Sequence, residues 1–157
     1  MKIKILAVGK LKNPLYFEAI QGYLGRLQPM VPIRIEEVRD FPVRKGMAPK
    51  IAVDQEAQYL LERLPEESFY VVLDVRGKQK STEEFSELIA KWENAGLKEL
   101  TFIIGGAYGV SDEILRNARE RLSLSKMTLP HELARLVFAE QLYRAYTILR
   151  NIPYHHG

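Results

Sequence analysis

The last third of the chain holds most of the residues whose types and spacing can perform chemistry. A buried apolar run ends in the glycine-rich turn Gly105–Gly109, and a second segment, Leu122–Leu129, alternates apolar with small polar residues and leads into Pro130 and His131. Small residues at strand ends leave main-chain N–H and C=O groups open to a small polar ligand, which can then approach the backbone closely. The two segments together predict a site that holds such a ligand against the main chain.

The glycine-rich turn does not match the common nucleotide-binding patterns. Gly105, Gly106 and Gly109 follow a G-G-x-x-G spacing, which is neither the dinucleotide fingerprint nor a P-loop. Its place between a buried strand and a helix is nevertheless where ligand loops lie in open α/β sheets. From this motif alone, a ligand loop and a tight strand-to-helix turn without a ligand are equally good interpretations.

Titratable and aromatic side chains follow at two places. His131 stands at the start of the last predicted helix, as a cap, a packing residue or a catalytic imidazole that the helix dipole keeps neutral. Beyond Pro153, the tail carries Tyr154, which can stack on a base, and His155, which can exchange a proton. Because the tail has too little apolar surface to be held by burial, we expect it to order against a partner subunit or a nucleotide. The adjacent pair of His155 and His156 lacks a carboxylate or cysteine pattern, so we expect no metal.

The last helix, predicted over 131–151, has an apolar stripe broader than packing on one sheet requires. Part of that stripe either completes the core or meets a second subunit. Arg135, Arg144 and Arg150 lie off the stripe, where they can face phosphates.

Strand and helix signals alternate along the whole chain. Apolar or alternating runs predict strands over 3–8, 33–38, 69–75, 100–104 and 122–129. Helices are predicted over 15–27, from the residue after Pro49 to 64, from a Ser81–Glu84 capping box to Gly96, from Ser111 onward, and over 131–151. This order predicts an α/β fold in one domain, residues 1–157, with a mostly parallel sheet covered by helices on both faces.

Composition narrows the class of protein. The 157 residues include no cysteine, which excludes disulfides and cysteine-ligated zinc or iron–sulfur sites. No run approaches the roughly 20 apolar residues that cross a bilayer, and the apolar run at the N-terminus is short and broken by Lys4. We therefore expect a cytoplasmic protein without a membrane partner. The net charge of +3 is mild and points to no partner by itself.

Several of these segments together resemble one known family, the RlmH-type ribosomal large-subunit methyltransferases of the SPOUT class. The matching segments are ILAVGK at 5–10, Leu73-Asp74 with Gly77, IIGGAYG at 103–109, LSLSKMTLPHELAR at 122–135, AEQLYRAYTI at 139–148 and PYHH at 153–156. His156 departs from the pattern, because relatives often carry Arg or Lys there. The resemblance covers essentially the whole chain. It implies an α/β-knot homodimer that uses S-adenosylmethionine to methylate N3 of a pseudouridine in 23S ribosomal RNA.

The resemblance also implies which residues form the site. Its S-adenosylmethionine positions fall on Leu73, Gly105, Leu124, Ser125, Lys126, Met127, Thr128 and Leu129. A sulfonium methyl is already a strong electrophile, so the protein chiefly aligns the nucleophile and takes up the N3 proton. Tyr154, His155 and Arg144 are the candidates for stacking, proton handling and charge stabilisation, with His131 as a second candidate base. Since there is no appended RNA-binding domain, we expect the dimer surface to recognise an assembled ribosomal particle.

Two other classes of function remain as alternatives. In the first, the chain is a ribosome-associated factor that binds RNA without transferring anything, and the two loops are scaffold only. In the second, it is an α/β enzyme for a nucleotide cofactor, although the glycine spacing argues against that class.

Overall fold

A computed structural model describes all 157 residues of the chain. Strands and helices alternate, as predicted, in the order β1 (Lys2–Val8), α1 (Pro14–Leu27), β2 (Ile33–Val38), α2 (Pro49–Leu61), β3 (Tyr70–Gln79), α3 (Thr82–Asn94), β4 (Glu99–Ile104), α4 (Asp112–Asn117), β5 (Glu120–Ser123) and α5 (His131–Leu149). Helices α2, α3 and α5 end a few residues before their predicted ends. None of the helices combines the length and apolar composition that crossing a bilayer requires.

All five strands run parallel in one sheet of order β2-β1-β4-β3-β5. Strands β4, β3 and β5 are therefore neighbours, and the segments that follow them emerge at the same edge. Ligands of open parallel sheets bind outside the carboxyl ends of the strands. The sheet order thus brings the glycine-rich turn after β4 close to the segment after β5.

Successive side chains of the central strands pack into two separate cores, one on each face of the sheet. Ile3, Ile5 and Ala7 of β1 face the core shared with α1, α3 and α5, whereas Leu6 and Val8 face the core shared with α2 and α4. The alternation follows from the two-residue period of a strand. The prediction of a sheet covered on both faces is confirmed.

Polar side chains begin three of the helices. Ser81 and Glu84 form both halves of the predicted capping box at α3, and Ser111 caps α4 by accepting the main-chain N–H of Ile114. Asn13 caps α1 in the same way. Each cap satisfies a main-chain donor that the helix itself leaves unpaired.

The fifth strand is shorter than the predicted span of 122–129, because β5 ends at Ser123 and the chain then leaves the sheet. The Ser123 hydroxyl donates to the Ser125 carbonyl at 2.9 Å, and Ser125 Oγ accepts the main-chain N–H of Met127 at 2.9 Å. Local bonds of this kind compete with a strand ladder. The alternating pattern therefore belongs to a turn-rich segment and not to a strand.

The third strand is longer than the predicted span of 69–75. Its extension pairs with β5 after a register shift between Leu73 and Lys78. Gly77 lies in this irregular stretch, where a Cβ would come within 2.7 Å of the Arg121 main chain. Glycine here permits the close approach of two strands.

Candidate active site

A cavity of about 870 Å³ opens at the carboxyl ends of β3, β4 and β5. Its volume is within the range of roughly 300–1,000 Å³ that small-molecule sites occupy. The wall is built from the extension of β3, the glycine-rich turn, and the segment that leads from β5 into α5. The predicted cofactor residues on this wall are Leu73, Gly105, Leu124, Ser125, Met127, Thr128 and Leu129.

Lys126 is the one predicted cofactor residue that does not line the cavity. It lies between Ser125 and Met127, which do, but its side chain is exposed. The turn formed after Ser123 accounts for the difference, because residues 124–129 do not alternate in direction as a strand would. The predicted contacts of residues 124–129 are made by main-chain groups, so the assignment of Lys126 to the cofactor stays a prediction, and only its side chain lies outside the wall.

Main-chain groups of the wall are left without partners in the chain. Within 124–129, only the N–H of Met127 has a partner, and within 105–110 only the N–H of Gly109, which binds the Gly106 carbonyl at 3.1 Å. These residues are partly or fully exposed, so their N–H groups are open to the cavity and can donate to a polar ligand that enters it. Small and apolar side chains beside them suit the adenosine and methionine parts of S-adenosylmethionine. The residues present therefore fit that cofactor.

The glycine-rich turn is compact because its own atoms approach one another. A Cβ on Gly105 would lie 2.6 Å from Val110 Cγ2 and 2.9 Å from the carbonyl carbon of Gly109. Gly109 has a φ of 84°, which side-chain-bearing residues rarely adopt. The requirement for glycine at Gly105 thus comes from the turn itself, and the positive φ lies at Gly109.

A buried carboxylate supports this turn from the α2 side. Glu56, which is only 6% exposed, accepts the main-chain N–H of Phe41 at 2.9 Å, and a Cβ on Gly106 would lie 3.3 Å from its Oε1. Burial raises the pKa of the Glu56 carboxyl, against the opposing effect of the Phe41 N–H, while the charge of Asp40 raises the pKa further. Glu56 was not predicted as a site residue, and its one signal in the sequence is a carboxylate on the apolar face of α2.

The cavity wall also includes residues that the sequence analysis did not assign to the cofactor. The extension of β3 contributes Asp74, Val75 and Arg76, and the turn contributes Tyr108. The family motif at Leu73-Asp74 was the only signal for this side of the wall, because the β3 extension has no apolar periodicity. His131, the second candidate base, also lies on the wall.

The predicted catalytic side chains form a separate C-terminal cluster, which we define as Arg144, Tyr154 and His155. The Tyr154 ring packs edge-on against Tyr143, with centroids 4.7 Å apart, and the Arg144 guanidinium lies 4.7 Å from the Tyr154 centroid. The Tyr154 hydroxyl donates to Glu140 Oε1 at 3.1 Å, and the same oxygen accepts from Arg144 Nε at 2.9 Å. The tail is therefore ordered against its own chain, which the sequence analysis did not predict.

His155 is held between two charged side chains. Its Nδ1 lies 3.4 Å from Arg144 Nη1, and its Nε2 lies 2.7 Å from Glu83 Oε1. A guanidinium only donates, so Nδ1 accepts and Nε2 carries the proton that is donated to Glu83. This bond from His155 is the main cause that lowers the pKa of the Glu83 carboxyl. Both ring nitrogens are thus engaged, and His155 must release Arg144 before Nδ1 can take up a proton.

The two other members of the cluster keep their protons at neutral pH. Burial raises the pKa of Tyr154 to about 12, and hydrogen bonds with Tyr23 and Glu140 raise the pKa as well. The hydrogen bond to Glu140 is the main cause that raises the pKa of Arg144. Tyr154 can therefore stack or donate a hydrogen bond, but it cannot serve as a phenolate base.

The cofactor cavity and the C-terminal cluster do not meet within one chain. None of the three cluster residues lines the cavity. At about 1.5 Å per helical residue, Arg144 lies roughly 20 Å along α5 from His131.

Arg135 does not face solvent, as a phosphate contact would require. It is 2% exposed, its Nη1 lies 2.7 Å from Glu37 Oε2, and its Nη2 donates to the carbonyls of Val8 and Gly9. The predicted phosphate contact at Arg135 is wrong, because this side chain ties α5 to the ends of β1 and β2. Arg150 pairs with Glu93 at 3.5 Å.

The fold and the cavity define a parallel α/β protein with a ligand site at the carboxyl edge of its sheet. A family model described as "Predicted SPOUT methyltransferase" matches residues 1–155. The chain is 43% identical over 156 residues to ribosomal RNA large subunit methyltransferase H of Christiangramia forsetii, with 99% of each chain covered. It is 42% identical over 158 residues to the protein of the same name from Carboxydothermus hydrogenoformans, again with 99% of each covered. The chain therefore belongs to the SPOUT methyltransferase family, among the ribosomal RNA large subunit methyltransferases H.

Solved structures of low sequence identity share the fold. A probable methylase family protein from Haemophilus influenzae Rd KW20 superimposes with a TM-score of 0.55 at 12% identity, over 99% of this chain and 70% of that one. TrmJ from Z. mobilis ZM4 gives 0.54 at 15% identity, over 92% and 70%. The predicted α/β fold, the family and the enzyme class of methyltransferase are confirmed, and the nucleotide-cofactor and non-catalytic alternatives lose their support.

Proposed function

We propose that this protein transfers the methyl group of S-adenosylmethionine to N3 of a pseudouridine in 23S ribosomal RNA, in the cytoplasm. The observation that carries the proposal is the cavity of about 870 Å³ at three adjacent strand ends, whose wall has unpaired main-chain groups. A wall of this kind suits a small polar cofactor, and the relatives of this chain are named for ribosomal RNA of the large subunit.

The proposed cofactor site uses the main chain more than side chains. Main-chain groups of the glycine-rich turn and of residues 124–129 would bind the adenine and ribose, while Leu124, Met127 and Leu129 would exclude water. Bound in this way, S-adenosylmethionine supplies an electrophilic methyl on a positively charged sulfur. The main task of the residues of the chain is then to hold N3 in line with that methyl, which is catalysis by positioning.

We infer that a second copy of the chain completes the site. Within one chain the C-terminal cluster lies roughly 20 Å from the cavity end of α5. A homodimer in which the cluster of one copy meets the cavity of the other joins the two groups. Supporting this, α5 keeps partly exposed apolar side chains at Leu133, Leu136 and Val137. The α/β knot of the SPOUT class is part of the same proposal.

In such a site the proton of N3 must leave before or during methyl transfer, and we assign this role to His155. Its Nδ1 becomes available once Arg144 turns from it toward the developing negative charge of the base. Tyr154 offers a ring for stacking, since its hydroxyl stays protonated up to a pKa of about 12. His131 on the cavity wall is the second candidate for the base.

The deciding experiment is mass mapping of 23S ribosomal RNA from cells with and without this protein. We expect one methyl on a pseudouridine to disappear without the protein and to return when purified protein and S-adenosylmethionine are added to isolated large-subunit particles. An unchanged methylation map would overturn the proposal. Equal rates on protein-free RNA and on particles would refute only the preference for assembled particles.

The cofactor and the dimer have tests of their own. Calorimetry should detect S-adenosylmethionine binding without RNA, and a thermal-shift comparison should show stabilisation by this compound but not by NAD or FAD. Sedimentation at micromolar protein should give twice the mass of one chain, and a monomer would refute the completed site.

A further inference from the structure

The segment that joins β1 to α1, residues 9–13, is a connection in which only Lys10 and Lys12 are exposed, and we call it the β1–α1 loop. Arg135 donates to the carbonyl of Gly9 at 2.5 Å and forms an ion pair with Glu37 at 2.7 Å. The same oxygen of Glu37 accepts the main-chain N–H of Leu11 at 2.7 Å. A buried guanidinium and a carboxylate thus fix the first half of the loop.

The second half of the loop is held by Glu132, in the first turn of α5. Its Oε1 accepts the main-chain N–H of Lys12 at 2.5 Å and that of Asn13 at 3.0 Å. The hydrogen bond from Asn13 is the main cause that lowers the pKa of Glu132, with the bond from Lys12 acting in the same direction, so this carboxylate stays charged. Three consecutive main-chain donors are therefore satisfied by two carboxylates, and the backbone of the loop is fixed.

Two free cations project from this fixed backbone. Lys10 and Lys12 are exposed, and neither forms a salt bridge. The neighbouring carboxylates of Glu37 and Glu132 are occupied by main-chain donors and by Arg135. Exposed loops are ordinarily the mobile parts of a protein. A braced loop that presents two unpaired ammonium groups is preorganised for an anionic partner.

The loop also lies beside the candidate cavity. Glu132, which holds it, directly follows His131 on the cavity wall. The loop follows the carboxyl end of β1, whose sheet neighbour β4 ends in the glycine-rich turn. A ligand bound to Lys10 and Lys12 would therefore lie close to a ligand in the cavity.

We propose that the β1–α1 loop binds the phosphate backbone of the RNA substrate, with Lys10 and Lys12 each neutralising one phosphate at the rim of the cavity. This inference rests on the proposed function and names the surface through which the substrate strand is held. Lysine suits the role because its ammonium is a compact charge that tolerates variable phosphate geometry.

The test compares two double variants of equal charge. Lys10→Ala with Lys12→Ala removes the proposed contacts. The control, Lys2→Ala with Lys98→Ala, removes two exposed lysines that form no salt bridge and lie at the amino ends of β1 and β4, away from the cavity. The N–H of Lys2 donates to the Lys98 carbonyl at 2.9 Å. Binding to isolated large-subunit particles is measured without cofactor between 50 and 200 mM salt, a range over which about 6–10 phosphate contacts change affinity roughly 10³- to 10⁵-fold.

We expect the loop variant to bind particles about tenfold more weakly, and its salt slope to fall by about 1 to 2, since each phosphate contact contributes roughly 0.7 to 0.9. The KM for particles should rise while kcat at saturation and the affinity for S-adenosylmethionine stay at wild-type values. Lys10→Arg with Lys12→Arg should restore binding, and the control variant should behave as wild type. An unchanged salt slope, or an equal loss in the control variant, would overturn the proposal.

A photo-crosslinking residue at Lys10 identifies the partner directly. An adduct with ribosomal RNA supports the proposal, and an adduct confined to ribosomal proteins overturns it. The outcomes also separate this inference from the proposed function. A wild-type protein that binds RNA through the lysine pair but transfers no methyl refutes the activity alone. A loop variant that methylates at the wild-type rate when the particle concentration lies well below the KM refutes the role of the loop alone.

Discussion

Glu56 Oε2 accepts the main-chain N–H of Phe41 at 2.9 Å, and this bond fixes the chain after β2 against α2. Burial raises the pKa of the Glu56 carboxyl above its ordinary value of 4.5. An acid with a pKa raised by folding stabilises the protein fully below its unfolded pKa, and this contribution is lost as pH rises through the folded value. The ionised Glu56 carboxylate therefore lowers the free energy of unfolding at neutral and basic pH.

The substitution Glu56→Gln tests this cost. The amide keeps an oxygen to accept the Phe41 N–H but carries no charge, so we expect the free energy of unfolding at pH 8 to increase by on the order of 1 kcal/mol. The gain should shrink as pH falls through the raised folded pKa and disappear well below 4.5, where the wild-type carboxyl is protonated in both the folded and the unfolded state. Urea unfolding at several pH values measures it, with the exposed Glu62→Gln at the end of α2 as the control. A gain that persists at low pH would contradict the assignment.

The glycine-rich turn should tolerate no side chain at Gly105. Because its Cβ would lie 2.6 Å from Val110 Cγ2, we expect Gly105→Ala to lower both stability and S-adenosylmethionine affinity, and Gly105→Val to lower them further. The matched control is Gly25→Ala in α1, where a Cβ meets nothing within 4 Å and should stabilise by about 0.5–1 kcal/mol. Thermal unfolding and calorimetry give the two readouts, and wild-type affinity in a folded Gly105→Ala protein would remove the turn from the site.

Tyr154 separates stacking from proton transfer. We expect Tyr154→Phe to keep most of the activity and the wild-type pH dependence, because the ring remains and a hydroxyl with a pKa of about 12 does not titrate near neutral pH. Tyr154→Ala removes the contacts with Tyr143 and Arg144 and should lower kcat much more strongly. A pH–rate profile of both variants on ribosomal particles decides this, and a displaced profile for Tyr154→Phe would make the hydroxyl a proton-transfer group.

Deletion of residues 154–157 should affect two properties and spare a third. Because Tyr154 packs on α5 and His155 binds Glu83, we expect the Tm to fall by a few degrees, the shift that about 1 kcal/mol produces in a domain of this size. Methyl transfer should collapse, while S-adenosylmethionine affinity, measured by calorimetry, stays at the wild-type value. Transfer at the wild-type rate would move the catalytic role to His131.

Short-range signals predicted much of this fold. The apolar runs of β1 and β4 were predictable because a strand covered on both faces has no polar side, and the capping box at Ser81 was predictable because its two partners lie three residues apart. The residues that the family resemblance assigned to the cofactor, at Leu73, Gly105 and 124–129, lie on the wall of one cavity, although the Lys126 side chain does not line it.

The failures come from partners that are distant in the chain. Arg135 lies off the apolar stripe of α5. Its hydrogen bond goes to the Val8 carbonyl, 127 positions away in the chain, and no neighbouring residue in the sequence indicates that contact. Glu56 was missed for the same reason, because its neighbours Phe41 and Gly106 come from two other loops. At β5, the serine side chains bonded to the local backbone, which an alternating pattern cannot distinguish from a strand.

The packing of α1 against α5 sets an order of events during synthesis. Helix α1 shares one core with α5, through Ile20 and Leu24 of α1 and Phe138, Leu142 and Tyr146 of α5. The packing of α1 can therefore be completed only after α5 has been synthesised. At about 5–20 residues per second, the part of the α1 surface that packs on α5 stays uncovered for several seconds or more. The nascent chain therefore has no braced β1–α1 loop and no finished cavity. We expect cofactor binding to begin only after α5 has been synthesised and has packed on α1.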